Sequence, residues 1–165
     1  MIVVSDASPI IGLAAVKHLD LLRKLYTRVL IPDAVYQEIT VAGSEEPGAS
    51  EVQSLDWIEA RQVTQRMLVS ALQADLAEGE AEAIALAIEL KASLLLVDER
   101  RARKVADRLG LKVVGVLGVL VEAKHKGLIP SLRPILDDLV SKAGFRVSHQ
   151  LYERALQAVG EHIGK

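Results

Sequence analysis

The residues of this chain best suited to chemistry are acids at four stations. Asp6 closes an apolar, β-branched opening run, with Ser8 and Pro9 behind it. Glu38 stands in IPDAVYQEI, Glu80 and Glu82 in AEGEAEAIALA, and Asp98 ends the apolar run of LLLVDERRAR with Glu99 beside it. Two carboxylates held about 4 Å apart repel by roughly 4 kcal/mol at an effective dielectric near 20, so acids gathered from these stations need a counter-charge. Hard divalent cations take oxygen ligands and keep several waters, which makes Mg²⁺ or Mn²⁺ the fitting choice. Such an ion would polarise a phosphoryl oxygen and activate a water as nucleophile. The plainer reading is four unrelated surface acids in a chain that has 22 Asp and Glu. Acids in the first turn of a helix are favoured by the macrodipole, Glu38 suits a solvated helix end, and N-capping alone explains Ser8.

A basic run of Arg100, Arg101, Arg103, Lys104 and Arg108 follows Asp98 directly. A solvated helix face accounts for it, but beside an acidic metal site the same side chains would position a phosphodiester backbone. The net charge of −2 argues against indiscriminate binding to polyanions and leaves room for a local basic patch. His18, His125, His149 and His162 show no ligand spacing and read as surface or packing residues. The chain has no cysteine, which excludes a disulfide framework, a thiolate zinc site and a catalytic thiol, and permits a reducing compartment. It carries no P-loop, no GxGxxG turn after the first strand and no GxSxG elbow. A phosphoacceptor receiver domain would place an adjacent acidic pair after its first strand, whereas Ala7 follows Asp6.

The elements that must position these residues alternate along the chain. Residues 2–5 read as a buried strand, followed by a helix with Ser8 at its N-cap and Pro9 at the first helical position. A helix over 18–26 precedes a strand over 29–31. Pro32 then opens a helix over 33–39, with Glu38 near its end, and 43–48 is the clearest loop. An edge strand over 57–63 and helices over 65–74 and 80–90 come next, then a strand over 94–97 that ends on Asp98. Ala102, Val105, Ala106 and Leu109 keep helical spacing, and Gly110 stops that helix. A strand over 112–114 and helices over 118–126, 134–142 and 149–159 complete the chain. Half of the residues are hydrophobic, but only one Phe, one Trp and three Tyr are aromatic, so Leu, Ile, Val and Ala build the core. That mixture suits helices packed on a buried parallel sheet. In such sheets ligands bind outside the carboxyl ends of the strands, where both Asp6 and Asp98 fall. The longest apolar run, 113–121, is too short to span a bilayer. Asp6 interrupts any leader-like opening, so the expectation is one soluble, cytoplasmic domain over 1–165.

DAS directly after the first strand, IPDAVYQEI, GEAEAIALA and LLLVDERRAR, in this order and at these separations, resemble the PIN-domain family of metal-dependent ribonucleases. The likeness is closest to its short prokaryotic branch, which includes the VapC-like toxins of toxin–antitoxin pairs. It covers residues 1–125 and extends more thinly to GFRVSHQLYERAL, among the C-terminal helices over 130–160. The resemblance implies a three-layer α/β/α fold with a short parallel sheet of about four or five strands. It implies that Asp6, Glu38, Glu82 and Asp98 hold Mg²⁺ or Mn²⁺ and are catalytic, with Ser8 as a small polar companion. In two places the chain departs from the family pattern. The family often has Thr or Ser where Asp98 stands, with its Asp a little further on, so Asp98 and Glu99 compete. Glu80 likewise competes with Glu82, and Glu in place of the commoner Asp adds one methylene of reach. The implied activity is cleavage of single-stranded RNA, with Arg100, Arg101 and Arg103 positioning the strand. The implied partners are a small antitoxin protein and a second copy of the chain, with no membrane. A non-catalytic RNA- or protein-binding module on the same fold is the alternative, kept open by Glu at the third station.

Overall fold

Short runs rich in valine, isoleucine and leucine make the central strands, which are apolar on both faces, while the edge strand IEAR buries only Ile58. In the computed structural model, which describes residues 1–161, β1 (Val3–Ser5), β2 (Val29–Pro32), β3 (Ile58–Arg61), β4 (Leu94–Leu96) and β5 (Val113–Val114) form one sheet. Every pair is parallel and the order is β3-β2-β1-β4-β5. Side chains alternate across it: Val3, Val29, Ile31, Leu94 and Leu96 enter one apolar cluster, and Val4, Leu30, Leu95 and Val97 enter another. Strands with period two that are covered on both faces read this way.

The helices are α1 (Ala7–Ala15), α2 (Asp20–Tyr26), α3 (Asp33–Gln37), α4 (Ala49–Ser54), α5 (Arg66–Leu72), α6 (Glu78–Glu89), α7 (Arg100–Arg108), α8 (Val116–His125), α9 (Arg133–Ser141) and α10 (His149–Ala158). Ile10 and Leu13 of α1, Leu22 of α2, Val119 and Leu120 of α8, Leu136 of α9 and Leu156 of α10 fill the first cluster. Val69 of α5, Ile84 and Leu86 of α6, and Ala102 and Ala106 of α7 fill the second. The result is the three-layer α/β/α arrangement. Each fully buried Leu or Ile contributes roughly 1.5–3 kcal/mol against the entropy of ordering the chain.

Three local details differ from the sequence reading. The first helix begins at Ala7, with Asp6 at the N-cap in extended conformation (φ −77°, ψ 175°), because β1 runs straight into it. Ser8 is therefore inside the first turn, and Pro9 still falls among the amides that have no partner within the helix. The helix expected over 33–39 is α3 alone, continued by a π-helical turn, Glu38–Ala42. Helix α4 was not anticipated. His125 donates to the Ala158 carbonyl (2.9 Å) and so ties α8 to α10, while His162 lies outside the described residues. Among the described residues no helix is long and apolar enough to cross a membrane.

From β1 the chain moves outward to β2 and β3, then returns to the other side of β1 to lay down β4 and β5. The carboxyl ends of β1 and β4 thus adjoin where the strand order reverses, which is where open parallel sheets bind ligands.

Candidate active site

At that reversal lies an open crevice of about 530 Å³, lined by Asp6, Ser8, Glu38, Glu80, Asp98 and Glu99. The volume is within the range of ordinary ligand sites. Local folding explains why the acids meet. Ser5 pairs with Leu96, and the Asp6 amide donates to the Leu96 carbonyl (2.9 Å), so Asp6 continues the β1–β4 register. Asp98 follows β4 two residues later, and its Oδ1 accepts from the Val116 amide (2.8 Å) at the start of α8. Glu99 caps α7, its Oε1 accepting from Arg101 (2.7 Å) and Ala102 (3.3 Å). Glu80, in the first turn of α6, accepts from the Ala77 amide (3.1 Å). Helix N-termini from both layers end at the crevice, each with an acid against its positive end.

Glu82 is elsewhere. Two residues along a helix turn a side chain by about 200°, so Glu80 and Glu82 cannot face the same way. Glu82 is 5 % exposed; its Oε1 accepts from the Ala34 amide (2.9 Å) at the start of α3 and its Oε2 from Arg66 (2.7 Å) of α5. The expectation that Glu82 joins the other acids is corrected on geometric grounds, and Glu80 occupies that position in the crevice. Of the basic run, Arg100, Arg103 and Lys104 line a separate depression that reaches Asp98. Arg101 turns toward the Glu80 side, donating to the Asp75 carbonyl (3.4 Å).

The electrostatics are those of buried acids, with neighbouring carboxylates adding to the effect of burial at Asp6, Glu38 and Glu80. Burial pushes the Asp6 carboxyl up to about 7; the Ala7 amide opposes this, and Glu38, Glu80 and Asp98 add to it. Glu38 is raised by burial and by Glu80. Glu80 is raised by burial and by Glu99, against the Ala77 amide and Arg101. Asp98 is raised by burial, against the Val116 amide, the nearby Ser8 hydroxyl and Arg103. Asp98 Oδ2 is buried and makes no hydrogen bond of acceptable geometry. An orphaned buried carboxylate oxygen costs about 1–3 kcal/mol or more, which is seldom tolerated without a purpose.

Two glycines make the close approach possible. A Cβ on Gly79 would stand 2.9 Å from Glu38 Oε1 and 3.6 Å from Asp6 Oδ1, so both carboxylates crowd one spot on α6. A Cβ on Gly115 would meet Asp98 Oδ1 at 2.8 Å and Arg103 Nη1 at 2.7 Å. Among the described residues no three acids already converge tightly on one point. Mg²⁺ does not require that, since it is commonly held by one or two carboxylates with water completing the shell. An all-oxygen donor set, an orphaned Asp98 Oδ2 and carboxylates raised by burial fit such an ion.

Sequence reasoning missed one wall of the crevice. Residues 143–146, between α9 and α10, line it opposite no regular element of the sheet, and Phe145 and Arg146 belong to that wall. The signal is the stretch GFRVSHQLYERAL, which sets the chain's single Phe next to an Arg and behind a helix-stopping Gly144 but carries no site assignment. A family model described as "DUF3368: PIN domain" matches residues 2–161. No curated protein matches the chain.

Proposed function

The chain belongs to the PIN-domain family, and from that premise we propose that it is a Mg²⁺- or Mn²⁺-dependent endoribonuclease acting on single-stranded RNA. PIN domains are typically nucleases. The observation that carries the finer reading is Asp98 Oδ2, a buried acceptor without a partner, in a crevice shared with Asp6, Glu38 and Glu80.

Asp6, Asp98, Glu38 and Glu80 would hold the ion or its waters, with Glu99 contributing the charge left over from capping α7. When bound, a divalent cation supplies Lewis-acid polarisation of the phosphoryl group and a more acidic water. The chain's own residues do the rest. The Val116 amide holds Asp98, the Arg103 charge favours its ionised form, and the Ala7 amide favours the charged form of Asp6. Burial and the neighbouring acids push Asp6 up to about 7 in the metal-free protein, so Asp6 would give up its proton to bind a cation there. Arg103 and Arg100, at the rim next to Asp98, suit backbone positioning. Glu82 serves the architecture.

The resemblance to VapC-like toxins extends the proposal to the toxin of a toxin–antitoxin pair, with a small antitoxin partner, a homodimeric state and a cytoplasmic setting that the cysteine-free composition permits. Expression should then arrest growth, and Asp6→Asn should relieve the arrest. The direct test is cleavage of mixed RNA with Mn²⁺ by wild type, Asp6→Asn and Asp98→Asn. Loss in both variants supports the reading. Equal cleavage by all three means a contaminating nuclease, and no metal-dependent cleavage by wild type favours the non-catalytic binding module.

A further inference from the structure

The wall formed by residues 143–146 is fixed in place. The Phe145 amide donates to the Leu139 carbonyl (3.0 Å) at the end of α9. Gly144 takes φ +73°, a conformation that side-chain-bearing residues rarely adopt. The Phe145 ring lies so close to α1 that a Cβ on Gly12 would stand 2.5 Å from its Cε1. Anchoring of Phe145 by backbone and packing thus sets the next residue, Arg146, beside the crevice. It is the single cation among the residues that line the crevice, facing five carboxylates. Among the described residues it makes no ion pair.

Phe145 and Arg146 also line an adjoining depression along β5 and the start of α8, which Arg103 lines too; Asp98 belongs to both hollows. A polyanion entering the crevice meets repulsion from every acid there and attraction from Arg146. A guanidinium presents a planar fork of donors that matches two phosphate oxygens, and an exposed Arg with no carboxylate partner keeps those donors for a ligand.

We propose that Arg146 contacts the phosphate backbone of a single-stranded RNA that crosses Asp98 from the crevice into the adjoining depression. This rests on the nuclease reading above and adds a substrate contact from outside the four acidic stations. The experiment measures binding of a short labelled single-stranded RNA of mixed sequence in Mg²⁺, over a range of salt, in the full chain carrying Asp6→Asn to suppress cleavage. Adding Arg146→Ala should weaken binding about tenfold. It should also reduce the steepness of log K against log salt by about 0.7, the share of one phosphate contact. Arg146→Lys should keep the salt slope and recover part of the affinity. In the Asp6-intact chain, Arg146→Ala should raise KM for Mn²⁺-dependent cleavage more than it lowers kcat. An unchanged slope and an unchanged KM in a chain that cleaves RNA would overturn the contact and leave the nuclease reading standing. A slope that depends on Arg146 in a chain whose wild type never cleaves would uphold the contact and overturn the nuclease reading. Wild type that neither binds nor cleaves RNA overturns both.

Discussion

Two residues apart on α6, Glu80 and Glu82 look toward different parts of the molecule. Glu82 is buried and fully partnered, its two oxygens taken by the Ala34 amide and the Arg66 guanidinium, so that α3, α5 and α6 are held together through one carboxylate. Glu80 faces an open crevice where Asp6, Glu38, Asp98 and Glu99 compete for too few donors. One region spends its charge on architecture. The other stores charge that the fold alone does not neutralise, and a cation or a polyanion bridged by one is what would relieve it.

The contrast can be broken most directly at Asp98 and Asp6. Asp98→Asn and Asp6→Asn should each lower Mn²⁺-dependent cleavage by about three orders of magnitude, roughly 4 kcal/mol, with the thermal melt of the metal-free protein unchanged or raised. If Glu82→Gln lowered cleavage as much at full stability, the two acids would have exchanged roles.

A pH series sharpens the same contrast. The Asp6 carboxyl is raised from about 4 in the unfolded chain to about 7 in the fold, so the folded state holds its proton more tightly. Its contribution to stability is complete below about pH 4 and is lost as pH rises through 7, amounting to up to about 4 kcal/mol. Denaturant melts of the metal-free protein should show stability falling over that window. Asp6→Asn should flatten the fall, and Mn²⁺ should restore stability at pH 8 in wild type alone. A profile that Asp6→Asn leaves unaltered would remove Asp6 from the crowded set.

Glu82→Ala should destabilise the fold by about 2 kcal/mol in a denaturant melt. The loss falls mainly on the Ala34 amide, because Arg66 is more than half exposed and regains water. Glu80→Ala should cost little stability and about tenfold in cleavage. The smallest effect is expected at Gly79→Ala. The new Cβ displaces the flexible end of Glu38, lowering cleavage several-fold, while the exchange of Gly for Ala in the first turn of α6 changes stability by less than about 1 kcal/mol.

Much of this arrangement is legible in the residues themselves. Asp6 and Asp98 each end an apolar run, and strands joined by helices must run parallel, which already sends both acids to one edge of the sheet. The choice between Glu80 and Glu82 is not legible, and the reason is α6 itself. Residues from Ala81 to Ala87 are all buried, because the helix is wedged between the sheet and its neighbours α3 and α5. With no polar face, its pattern cannot say which acid points where. The helix start read at Ser8 falls two residues late, because a strand that feeds directly into a helix leaves Asp6, not Ser8, at the cap. Arg146, within the quoted GFRVSHQLYERAL, could not be given a role for a different reason. Its position depends on one ring packing against Gly12 from the far end of the chain, and no local periodicity encodes such a contact.

The order of the strands also sets a timetable during synthesis. β1 leaves the ribosome first but lacks its β4 neighbour until residue 96 has emerged, and the last wall waits for Arg146. Pairing across so long a stretch of chain is slow compared with local helix formation. On the proposed function, a half-made chain carries several of the acids yet no crevice, so ribosomal RNA beside the exit tunnel is out of reach of a nuclease that does not yet exist.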